Sequence, residues 1–142
     1  MLVRNIMDEE DISPDQVKPR WFIDLGWYQQ NSRSFSILAG RCLCAKCRQR
    51  LKVEEGEVPA DELLAAITGC CSQEPGFITG ELPILESMFR LFLANGNQPL
   101  DMEEMAEQLS ERRSGNPYRT SVEVLFRLLE SDQYYGLRGV VG

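Results

Sequence analysis

The sequence predicts a mainly α-helical chain. An N-terminal helical module is pinned by a four-cysteine zinc site, and a three-helix module with a short β element follows. Three observations carry this reading. Apolar residues recur at helical spacing along most of the chain. Five cysteines fall as a C-x2-C hook, one upstream neighbour and an adjacent pair. Proline, glycine and capping residues stand where the apolar stretches would begin and end. The chain has 142 residues, 43% hydrophobic and 26% charged, the balance of a globular protein. That is enough chain for one domain with a sizeable core, or for two small modules.

Composition excludes several function classes. No stretch approaches roughly 20 apolar residues, so no transmembrane helix is expected. The start, MLVRNIMDEEDIS, has no apolar run of signal-peptide length, which leads us to expect a cytoplasmic location. Fifteen basic against twenty-two acidic residues give a net charge of −7. That balance disfavours coating nucleic acid by bulk charge. There is no histidine, which removes His-based triads, His general bases and His metal ligands. No G-x4-G-K-[ST] loop is present. The acidic runs Asp8–Asp11 and Glu54–Glu57 read as solvated surface. The expectation is a non-enzymatic protein with no small-molecule substrate and no membrane contact.

The elements follow in order. Residues 1–19 are acidic, then broken by Pro14 and Pro19, and read as a flexible arm. Residues 20–80 form the helical zinc-binding module. In it Trp21, Phe22, Leu25 and Tyr28 fall at helical spacing, with a second apolar group at Phe35, Ile37 and Leu38. Two short helices are expected, broken around Asn31-Ser32. A further helix starts at Pro59, whose missing N–H costs nothing in a first turn, and Gly69 is placed to end it. Residues 72–80, with Pro75, Gly76 and Gly80, read as a loop and a boundary.

Residues 81–142 carry a three-helix pattern. The first helix starts at Pro83 and ends at Asn95-Gly96, with Leu85, Met88, Phe89 and Phe92 on one face. The second starts at Asp101 with Glu104 as a capping box, and presents Met102, Met105, Ala106 and Leu109. The third follows Thr120, with Val122, Leu125, Phe126 and Leu129 as its apolar face. The segment from Tyr134 to Val141 then reads as a strand.

Cys44-Ala45-Lys46-Cys47 is the hook, and Cys70-Cys71 follows after 22 intervening residues. A two-residue spacer lets one tight turn aim two sulfurs at one ion, and the second pair closes a tetrahedron. The expected ligands are therefore Cys44, Cys47, Cys70 and Cys71. Neighbouring side chains tend to point apart, so Cys42 is an alternative to one member of the adjacent pair. Four protein thiolates leave no open position for water, which makes zinc here structural. An iron–sulfur cluster, a redox C-x2-C pair and plain buried thiols remain competing readings.

Arg41, Lys46, Arg48, Arg50 and Lys52 form the one sustained basic stretch and wrap the hook. They are expected to contact phosphate or an acidic partner, or to offset the charge of a zinc–tetrathiolate. Arg112, Arg113, Tyr118 and Arg119, just before the third C-terminal helix, are the second expected contact group.

Residues 82–141 resemble a winged-helix domain, a relative of the helix-turn-helix. The resemblance rests on residues 99–109 (PLDMEEMAEQL) and 120–129 (TSVEVLFRLL). It implies a helix, a short extended piece, two further helices and a strand. Nine residues separate the last two helices, and only one strand follows them. The third helix offers Glu123, Arg127 and Glu130 outward, where base-reading helices present Arg, Lys, Asn or Gln. Six basic against ten acidic residues in 81–142 make this module acidic. The expectation is an interaction subunit or regulator that docks on a protein partner in a larger, nucleic-acid-handling assembly. The alternative is a direct DNA-binding transcription regulator. A thiol or metal redox sensor is the third reading.

Overall fold

The structure is a computed structural model that describes residues 18–113 and 120–141. It is mainly helical, with one short antiparallel sheet. The first element departs from the sequence reading. Pro19–Ile23 is a strand, β1, and the helix α1 begins only at Leu25 and runs to Gln30. Trp21 and Ile23 are buried while Phe22 between them is not, which is the alternation of a strand. Apolar residues at 21, 23, 27 and 28 fit both periods, and pairing decides the conformation. β1 runs antiparallel to β2, Leu137–Val141, from Pro19 opposite Val141 to Ile23 opposite Leu137. On its other side Trp21 exchanges backbone hydrogen bonds with Leu100, at 2.8 and 3.0 Å. The Asn97 side chain extends that side by bonding both backbone groups of Ile23.

Ser34 caps α2 (Phe35–Gly40) by accepting from the Ile37 N–H. The helix α3 (Ala45–Leu51) takes up the basic stretch and ends where Lys52 turns left-handed. Pro59 stands just before α4 (Ala60–Gly69), and Cys70 caps its other end. Pro83 likewise precedes α5 (Ile84–Ala94), after which Gly96 takes a positive φ. In front of α6 (Met102–Arg112) the capping box forms as expected. Asp101 accepts from the Glu104 N–H and Glu104 from the Asp101 N–H, both at 2.9 Å. Ser121 caps α7 (Val122–Glu130) by accepting from the Val124 N–H.

One core joins both halves of the chain. Phe89 and Phe92 of α5 lie at its centre, with Leu63 and Ile67 of α4, Met105 and Leu109 of α6, and Leu125 of α7. Phe89 meets Phe35 edge-on and stacks at a tilt on Tyr135, so aromatic contacts cross the boundary drawn near residue 80. The β1–β2 pairing crosses it too. Gly136 lies where this packing is tightest. Its φ is +68°, and a Cβ there would come within 2.9 Å of Trp27 and 3.0 Å of Tyr28. Only glycine meets both conditions.

The α7 face differs from expectation. Leu125 and Leu129 are buried, but Val122 and Phe126 are 36% and 44% exposed. Phe126 covers the edge of Trp21, with ring centroids 6.3 Å apart. A groove of about 490 Å³ lies beside them, lined in part by Trp27, Leu129, Glu130 and Arg138. No helix among the described residues is long and apolar enough to cross a membrane.

Candidate metal centre

Two helix ends build the cysteine cluster. Cys44 is the residue before α3, and Cys47 lies in that helix's first turn. Cys70 follows α4, and Cys71 opens a single 3-10 turn, Cys71–Gln73. The backbone of Cys70 (φ −138°, ψ −66°) is neither helical nor extended. This bend lets two adjacent cysteines serve one site, although neighbouring side chains usually diverge. The sulfurs of Cys44, Cys47 and Cys70 all lie within 4.8 Å of one another. Cys44 Sγ stands 3.9 Å from Cys70 Sγ and 3.4 Å from Cys71 Sγ. The Cys44 backbone N–H also donates to Cys71 Sγ at 3.1 Å.

These separations fit a single ion. Zinc–sulfur bonds of about 2.3 Å in a tetrahedron place sulfurs roughly 3.8 Å apart. Cys44, Cys47 and Cys70 therefore cluster at metal-binding distance, with Cys71 Sγ against Cys44, compatible with a structural metal. Cys47 and Cys71 are buried, whereas Cys44 and Cys70 are half-buried, so the site opens at one edge.

Electrostatics differ from thiol to thiol. The Cys47 backbone N–H, and next the Cys71 thiol, lower the Cys44 pKa to about 7. Hydrogen bonding to Cys47, and then to Cys44, pushes Cys70 up. Burial pushes Cys71 up to about 12. Arg50 donates from Nη2 to Cys47 Sγ at 3.4 Å and places a positive charge against the cluster.

Cys42 stands apart, so the structure does not favour it as an alternative ligand. Its thiol donates to the Leu38 carbonyl, and burial raises its pKa to about 11. It lines a small cavity with Phe89, Arg90 and Tyr135. The reason is local. Cys42 follows α2 directly and is packed by that helix, whereas Cys44 has passed the turn into α3.

The expected contact residues divide into three groups. Arg41, Lys46, Arg50 and Lys52 are exposed on and around α3. Arg48 is half-buried and ties α3 to α2, donating to the Gly40 carbonyl at 2.6 Å. The second group is not a surface clamp as far as it is described. Arg113 is only 5% exposed. Its guanidinium donates to the carbonyls of Thr79, Gly80 and Leu82 and to the Ser87 hydroxyl. Arg112 is half-buried and donates to the Ser72 carbonyl. Both arginines hold the 72–82 loop, which must cross the surface between α4 and α5. Tyr118 and Arg119 lie outside the described residues.

The sequence reading missed the aromatic groove of Trp21 and Phe126. It placed both on buried helical faces, and no local signal marks them otherwise. No family profile, curated protein or solved structure matches this chain.

Proposed function

We propose that this chain is a non-enzymatic interaction subunit or regulator built around a structural zinc ion. Cys44, Cys47, Cys70 and Cys71 hold the ion and lock the start of α3 to the end of α4. The convergence of four sulfurs from two separate helix ends carries this reading. Sulfurs in direct contact leave room for one ion rather than a multi-iron cluster. The donor set is all thiolate, which suits zinc, and a fully protein-ligated ion offers no position for substrate.

In this reading the region from α5 to β2 is a winged-helix-like module whose second strand comes from β1. Support comes from the order α5, the extended Leu100, α6, α7 and β2. Its partner is a protein, in an assembly that handles nucleic acid. The outer side of α7 presents Phe126 and Val122 beside Glu123, Arg127 and Glu130. Exposed aromatic surface with acidic neighbours suits a protein partner better than a phosphate backbone.

The test is metal content by mass spectrometry on protein purified without added metal. The expected result is one zinc per chain in the wild type and in Cys42→Ser, and a sharp loss in Cys44→Ser. Equal zinc in wild type and Cys44→Ser would refute the ligand assignment.

Direct nucleic-acid contact is the second reading, favoured by the exposed Lys46, Arg50 and Lys52 on α3. It requires DNA affinity that falls steeply with salt and disappears on charge reversal at these three residues.

A further inference from the structure

The zinc site places two sulfurs in contact without a bond. Cys44 Sγ and Cys71 Sγ are 3.4 Å apart, closer than the 3.9 Å between Cys44 and Cys70. A disulfide requires about 2.05 Å, so the two sulfurs must close by about 1.4 Å to bond. The two residues differ in access. Cys44 is half-buried at the open edge of the cluster and Cys71 is buried behind it. Cys44 and Cys70 are the two half-buried thiols, and Cys44 is the one with a buried sulfur, Cys71 Sγ, 3.4 Å away to resolve it. They also belong to different elements, Cys44 to the start of α3 and Cys71 to the turn after α4. A bond between them would tie the same two elements as the metal does.

We propose that a hydroperoxide converts the cluster to a Cys44–Cys71 disulfide, which releases the ion and replaces it as the strap between α3 and α4. The proposal rests on the zinc reading above. The Cys44 thiolate attacks one peroxide oxygen, the O–O bond breaks, and the leaving oxygen takes up a proton. Cys44 is oxidised by two electrons to the sulfenic acid and the peroxide is reduced by two. The Cys71 thiolate then attacks the Cys44 sulfur. The S–O bond breaks, and the departing hydroxide takes a proton to leave as water. Two thiolates, one hydrogen peroxide and two protons give one disulfide and two waters, and an organic hydroperoxide gives its alcohol in place of one water. Only Cys47 and Cys70 then remain as ligands, too few to retain the ion. A dithiol reductant and fresh zinc reverse the change.

Cys42 sits outside this chemistry. It is buried, bonded to the Leu38 carbonyl and not among the clustered sulfurs.

The experiment treats the full-length protein with one equivalent of hydrogen peroxide. Zinc release is read with a chromogenic chelator and the bridge is located by peptide mass mapping. The expected result is stoichiometric zinc release with a Cys44–Cys71 bridge, reversed by dithiothreitol and zinc and unchanged in Cys42→Ser. The oxidised protein should also melt well above the reduced, chelator-stripped protein. A bridge elsewhere in the cluster, oxidation at Cys42 first, or zinc release without any bridge would overturn the proposal. The metal content of the untreated protein reads the zinc assignment separately. A metal-free protein that still forms Cys44–Cys71 refutes the zinc site and upholds the covalent strap. A zinc-loaded protein that forms no such bridge does the reverse.

Discussion

Replacing Arg113 by alanine should destabilise the protein severely. The side chain is 5% exposed and its guanidinium serves three carbonyls and one hydroxyl, at 2.6 to 3.3 Å. Hydrogen bonds to a charged group contribute about 1.5–3 kcal/mol each, and each buried acceptor left alone costs about 1–3 kcal/mol. Water can enter from the loop side and recover part of the loss. We therefore expect about 3–5 kcal/mol, the range for breaking a buried charged network. For a chain of this length that lowers Tm by roughly 10–15 °C. Arg113→Lys should recover only part, because an ammonium cannot span four acceptors held in a planar fork. Urea denaturation followed by circular dichroism measures the change. A surface phosphate clamp would behave differently, with stability within about 0.5 kcal/mol of wild type. That outcome would refute the buried-anchor assignment.

Gly136→Ala should cost about 1–3 kcal/mol, because its φ of +68° and the 2.9 Å approach to Trp27 both exclude a Cβ. Thermal unfolding checks this, and an unchanged Tm would mean the turn can move away from Trp27. Asp101→Ala should lower stability by about 0.5–2 kcal/mol by removing the cap of α6. Phe126→Ala should cost well under the roughly 3–5 kcal/mol of a buried phenylalanine, since the ring is 44% exposed. A full core-sized loss in urea would return Phe126 to the interior. If the cluster holds the proposed zinc, acidification should release it before the α5–α7 core unfolds, because thiolate ligands must take up protons to leave. Zinc release and far-ultraviolet circular dichroism, followed together as pH falls, should give two separate transitions.

Local signals settled much of this protein. The α6 capping box, the α5 start after Pro83 and its stop at Asn95-Gly96 appear as expected, because caps and stops act within one helical turn. The cysteine hook was legible for the same reason, since a C-x2-C spacing is itself a local geometry. Cys70 and Cys71 were legible only as a pair at a suitable separation. Whether both could face one site depended on the Cys70 backbone, and spacing does not specify that bend.

Sequence alone also determined the helical character of the chain, its acidic charge and the absence of histidine. Tertiary structure decided the rest. It made 19–23 a strand, because β2, more than a hundred residues away, supplied the hydrogen-bond partners. It exposed Phe126 and Val122, because only Leu125 and Leu129 of the expected α7 face are buried in the core. It buried Arg113, because the 72–82 loop turns several carbonyls inward and a guanidinium can satisfy them together. It separated Cys42 from Cys44, two residues apart in sequence, by leaving Cys42 bonded back onto α2 while Cys44 became the residue that opens α3. Each of these outcomes is a competition between partners distant along the chain. Periodicity and spacing describe one segment at a time, so they leave such competitions open.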